Sequence, residues 1–199
     1  MLALSFLLMI FATAPSVPPT AAGELADVSA ADTNAIYSNA IRAIFPHWQF
    51  DEKKITLIVV ENQTRVDSYD GPTIADADIR TELPDLTADV LADFHAKNAA
   101  RSQLQLSLTV PSAWRTFASS EVHGQFPAGD WFAFYQRYPG CPGLLSLSSI
   151  GFNRTGDRAL VYVAHAYSVD GGKGHVLLFK KHGTKWNVIK RGIVWVWVG

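Results

Sequence analysis

The chain has 199 residues, of which 48% are hydrophobic and 18% charged, a balance that suits one domain with a real core and excludes a disordered polyelectrolyte. Its single cysteine, Cys141, excludes an internal disulfide framework, so packing must hold the fold. The net charge is −1, yet residues 154–199 carry +6 and the rest −7, which predicts either two halves of one domain attracting each other or an anionic partner for the basic end.

Residues 1–22, MLALSFLLMIFATAPSVPPTAA, hold no charged side chain, and the apolar run Leu2 to Ala14 is followed by Pro15, Pro18 and Pro19. That is the grammar of a signal peptide cut between Ala14 and Ala22, too short and too soon broken by proline to span a bilayer. The expected mature chain, 23–199, is a single secreted or periplasmic α+β domain with no transmembrane helix.

Asp32 or Thr33 is expected to cap a helix that buries Ile36, Ala40, Ile41 and Ile44 and stops at Pro46. ITLIVVE, Ile55 to Glu61, reads as a strand buried on both faces. A polar loop is predicted from Asn62 to Glu82, turning at Asp70-Gly71-Pro72. Asp85 or Thr87 then opens a helix with Leu86, Val90, Leu91 and Phe94 on its apolar stripe. Leu104, Leu106, Leu108 and Val110 alternate with polar residues, the pattern of a half-exposed strand. Asp130 is the expected cap of a short aromatic helix, WFAFYQRY, and residues 143–199 read as a four-stranded antiparallel meander: Leu144 to Phe152, Ala159 to Tyr167, His175 to Lys181 and Trp186 to Val198. The expected architecture is helices packed on an antiparallel, curved sheet, in the manner of NTF2-like or cystatin-like folds by analogy alone.

The run from YPG through GLLSLSSIGFN, ALVYV, VLLFKK and KWNVI, with DLTADVLADFHAKN and IYSNAIRAIF before it, resembles a family of exported bacterial proteins without an assigned activity. The resemblance implies the same export and the same C-terminal meander, and it brings no catalytic residue with it.

The stretch SVDGGKGH, Ser168 to His175, poses the sharpest chemical question. A phosphate loop needs its Gly-Lys pair to open a helix, whereas here Gly174 follows Lys173 and a strand comes next. Gly171, Gly172 and Gly174 are therefore expected to permit positive φ in a hairpin. If Ala166 pairs with Gly174, His165 faces His175 and two imidazoles could share a divalent metal; otherwise they are polar strand ends. No cofactor is predicted beyond that. Asp76 and Asp78 lie in an acidic stretch without the spacing of a calcium loop. Trp195 and Trp197 share one face of the last strand and, with Lys173, are the candidate ligand-binding residues.

The basic residues alternate between faces and do not predict nucleic-acid binding. Two functions follow: a non-catalytic binding or interaction module for an envelope or extracellular ligand or protein, or an envelope hydrolase using carboxylates or histidines that spacing does not pair.

Overall fold

A computed structural model describes residues 28–50, 53–66, 74–118 and 130–198, so residues 1–22, for which a signal peptide is expected, and the acidic positions Asp67 and Asp70 lie outside the described residues. Helix α1 (Ala30–Ile44) starts at Ser29, whose hydroxyl accepts the Asp32 amide at 3.1 Å. The cap is thus earlier than Asp32, because the Asp32 carboxylate is taken by tertiary partners. Its Oδ1 accepts the Trp186 indole at 2.7 Å and its Oδ2 the Lys181 ammonium at 3.0 Å.

A two-stranded ribbon, β1 (Gln49–Phe50) with β2 (Lys53–Lys54), leads into β3 (Leu57–Glu61). Helix α2 (Asp76–Glu82) occupies the end of the segment read as a polar loop. Only Ile79 is buried within it, so it offers no apolar stripe to betray a helix. Helix α3 (Ala88–Asn98) follows Thr87 as expected and buries Val90, Leu91 and Phe94.

The alternating segment 104–110 is extended, but it is not a strand. The Leu104 amide donates to the Asn62 carbonyl at 2.8 Å, and three further backbone groups bond side chains of α1: the Ser107 amide to Asn34 at 2.7 Å, the Thr109 amide to Ser38 at 2.9 Å, and the Thr109 carbonyl to Arg42 at 2.8 Å. Period-two burial thus arises without a partner strand, since helix side chains satisfy the peptide groups. Beyond it lie β4 (Ala113–Phe117) and α4 (Trp131–Arg137), the latter capped by Asp130 through the Ala133 amide at 2.9 Å.

The C-terminal run is antiparallel, with β5 (Leu144–Leu147), β6 (Gly151–Phe152), β7 (Arg158–Ala166), β8 (Gly172–His182) and β9 (Lys185–Trp197). The single strand expected over 144–152 is split into β5 and β6. At the break, the Ser148 hydroxyl accepts the Tyr162 amide, its carbonyl accepts the Tyr37 hydroxyl, and Asn98 bonds both the amide and the carbonyl of Ser149. Gly151 then lets the α3 backbone approach at Phe94, where a Cβ would collide.

The open sheet runs β4-β3-β5-β7-β8-β9 and is mixed, because β3 pairs in parallel with both β4 and β5. Parallel neighbours require long crossovers, which the α2–α3 stretch and α4 provide. The class is α+β, and within the open sheet antiparallel order belongs to the C-terminal run.

Helices cover both faces. On one, α1 packs against Ile58, Val60, Leu145, Val161, Leu177 and Phe179. On the other, α2 and α3 pack against Leu160, Tyr162, Val176 and Leu178, while α4 closes on Val59, Phe117 and Leu144. Each fully buried aliphatic side chain contributes about 1.5–3 kcal/mol, so the two-sided β7–β8 pair is the energetic centre. Among the described residues, no helix is long and apolar enough to cross a membrane.

Candidate functional site

The hairpin that joins β7 to β8 turns over Ser168 to Gly171, with the Tyr167 amide bonded to the Gly171 carbonyl at 2.9 Å. Among the described glycines, positive φ belongs to Gly140, Gly143, Gly156 and Gly183, and not to Gly171, Gly172 or Gly174. The expectation that the three hairpin glycines supply left-handed backbone is therefore corrected. Their role is close approach. Gly174 faces Trp195 across the β8–β9 ladder, and a Cβ there would collide with the indole nitrogen; the same ring also lies against Gly172. At Gly171 a Cβ would meet the Tyr167 ring and the Ser168 hydroxyl.

Trp195 is thereby laid on a floor of bare backbone, and its indole N–H donates to the Tyr162 hydroxyl at 2.9 Å. Trp197, opposite Gly172, stacks beside it with ring centroids 5.1 Å apart and planes 39° apart. Both rings are half-buried on the α2–α3 face of the sheet. This forms an aromatic shelf whose inner ring is fixed by contact from below and by one hydrogen bond.

Lys173 is not part of that shelf. It sits between Gly172 and Gly174 on β8, so alternation directs it to the α1 face, opposite His165. The structure thus brings Trp195 and Trp197 together and places Lys173 with the histidines.

The register differs from the one in which two histidines face each other: Ala166 pairs with Gly172, so His165 lies opposite Lys173 and His175 opposite Val163. The shift is by two residues, which keeps both rings on one face but sets them diagonally. The His165 Nε2 meets the Pro142 carbonyl at 3.0 Å, and its ring stands edge-on to Phe45 at 5.0 Å. His175 is 6% exposed, and its Nδ1 is buried without a hydrogen-bond partner. Burial, with His165, Arg191 and Lys173 adding positive charge nearby, lowers its pKa to about 4. His175 is a neutral imidazole at pH 7. Among the described residues, no group of three or more His, Cys, Asp or Glu is placed to hold a metal ion. Burial likewise raises the Cys141 thiol to about 11, so it is not a thiolate at neutral pH.

Sequence reasoning missed one polar cluster. Glu61, at the end of β3, is 1% exposed and accepts the Ser146 hydroxyl at 2.7 Å. The Arg65 Nε lies 3.6 Å from the same carboxylate oxygen, and the Arg65 amide is fixed to the Leu147 carbonyl at 2.8 Å. A glutamate closing the apolar run ITLIVV, with an arginine four residues on, was the available signal. A charge at a strand end ordinarily marks solvent, so spacing alone does not reveal a buried pair.

No protein-family model, curated protein or solved structure matches the chain, so its functional reading rests on these residues and their geometry.

Proposed function

We propose that the protein is an exported, non-catalytic binding module and that the Trp195–Trp197 shelf receives a flat ligand such as a sugar ring. Export is inferred from the leader-like residues 1–22. The observation that carries the binding reading is the glycine floor beneath Trp195: Gly172 and Gly174 leave the ring no room to move toward the sheet, and Tyr162 holds its nitrogen. A ring immobilised before binding loses little entropy when a ligand stacks on it.

The shelf lies beside exposed Val198 at the end of β9, within reach of an extracellular ligand or protein. The hydrolase alternative is less well supplied, since a general base should titrate near the working pH, whereas His175 is lowered to about 4 and the Cys141 thiol raised to about 11.

Tryptophan fluorescence titration of the full chain with soluble oligosaccharides tests the reading. Saturable quenching that Trp197→Ala abolishes is the expected result. Equal responses from the wild type and Trp197→Ala across the panel would remove the shelf from consideration.

A further inference from the structure

Exposed apolar side chains gather at one corner of the sheet, where the β7–β8 hairpin turns and β9 finishes: Val169, Ile193, Val196 and Val198. Ile193 lies opposite His175 and Val196 opposite Lys173, and those two β8 residues, being two apart, share a face. The bulge at Val194 keeps Ile193 and Val196 in phase although they are three apart. Val198 continues the stripe, and Arg191, opposite Leu177, begins it. Leu177 packs under α1, so the stripe lies on the α1 face, opposite the tryptophan shelf.

A strand end that is apolar on both faces is costly to leave in water, and edge strands ordinarily turn polar residues outward. Helix α1 stops short of this one. It bonds β9 at the Trp186 carbonyl through Asn39 and receives Arg191 at the Ala43 carbonyl, then ends at Ile44. Beyond that contact Val196 is 47% and Val198 83% exposed, and Val169 stands 60% exposed in the hairpin turn. Side chains that project from the end of a sheet enter a fluid surface without needing a complementary groove.

The neighbouring charges choose the occupant. Lys173 lies directly opposite Val196, and exposed Arg191 stands at the start of the stripe. The one acid of α1, Asp32, is held by Lys181 and Trp186 at the far end of that helix. Asp170, in the turn, is outweighed by Lys173 and Arg191, while on the other face Lys190 offsets the Glu82 carboxylate bonded to the Ile193 amide. The corner is net positive. A second copy docked stripe to stripe would bring like cations together. An anionic lipid surface neutralises them, and the long lysine and arginine stems follow the apolar side chains inward while their charges stay among the headgroups.

We propose that this corner docks on an anionic lipid bilayer, with Val169, Ile193, Val196 and Val198 entering the headgroup region and Lys173 and Arg191 supplying the facing positive charge. Trp195 and Trp197 lie on the other face of the sheet, so this docking does not depend on the sugar reading.

Flotation of the full chain with vesicles of phosphatidylcholine, with and without phosphatidylglycerol, tests the proposal. Binding to the phosphatidylglycerol vesicles that weakens with added salt is expected. Val196→Ser combined with Val198→Ser should weaken it about tenfold or more, through lost apolar burial. Lys173→Gln should weaken it about fivefold. The thermal midpoint should hold in each variant, since all three positions are at least partly exposed. Residues 2–14 are themselves apolar, so binding indifferent to these substitutions would belong to them and would overturn the proposal. Equal binding to both vesicle types, or none, would overturn it as well. A dimer in sedimentation velocity that the double substitution dissolves would assign the corner to a second copy instead.

Discussion

Gly174 and Trp195 face each other across the β8–β9 ladder, and the indole occupies the volume that any side chain at 174 would need. A glycine inside a strand ordinarily weakens it. Here it admits the largest side chain of the neighbouring strand and lets its N–H reach Tyr162.

Gly174→Ala should therefore destabilise the protein by about 1–3 kcal/mol through overpacking. Trp195→Leu alone should also destabilise it, by removing ring burial and the Tyr162 bond. In the double variant the alanine should cost much less, because the ring it strikes is gone. A double-mutant cycle by urea denaturation measures this coupling, and strict additivity would show that Gly174 serves another purpose.

His175 should make stability depend on pH between about 6.5 and 4. Its folded pKa, about 4, lies below the ordinary value of 6.5, so the unfolded chain binds the extra proton throughout that window. Stability from keeping His175 neutral is complete above pH 6.5 and is lost as pH falls toward 4, up to about 3 kcal/mol in all. His175→Leu should flatten this slope and, since it also removes a buried unpartnered nitrogen, retain near-wild-type stability at pH 7. Urea midpoints at intervals from pH 7.5 to 4 decide it.

Asp32 governs a lower window. Burial alone would raise its carboxyl, but hydrogen bonds from Lys181, Trp186 and Ser29 outweigh that and hold it below the ordinary 3.8. Its contribution is complete above pH 3.8 and declines as pH falls through the depressed value, so it adds to acid unfolding only after His175 has charged. Asp32→Ala should cost about 2 kcal/mol at pH 7 by releasing Lys181 and the Trp186 indole, which tie β8 and β9 to α1. Thermal unfolding at pH 7 gives the magnitude.

Glu61→Gln should cost about 3 kcal/mol or more, because it leaves the Arg65 guanidinium in a buried setting without its carboxylate. Ser146→Ala, which removes one hydroxyl from Glu61, should cost about 1–2 kcal/mol. Equal losses for the two variants in chemical denaturation would mean that the ion pair contributes little.

Local chemistry was legible wherever a residue's role depends on its near neighbours. Asp130 as a helix cap, the stripe Val90, Leu91, Phe94 and the hairpin order of β7, β8 and β9 all follow from spacing. Spacing failed where a distant group replaced the expected partner. The alternation at 104–110 is real, yet α1 side chains, not a strand, satisfy its backbone. Helix α2 was hidden because only Ile79 within it is buried, which leaves no stripe to read.

The sequence by itself determined the α+β class, the antiparallel C-terminal run and the absence of a phosphate loop at SVDGGKGH, since each depends on periodicity or on what immediately follows a motif. Tertiary structure alone decided that β3 is flanked in parallel, that His165 lies opposite Lys173, that Lys173 and the two tryptophans lie on opposite faces, and that Glu61 is buried with Arg65. Register and burial depend on which distant residues a chain segment meets, and a two-residue slide of one strand preserves every local preference while changing every partner.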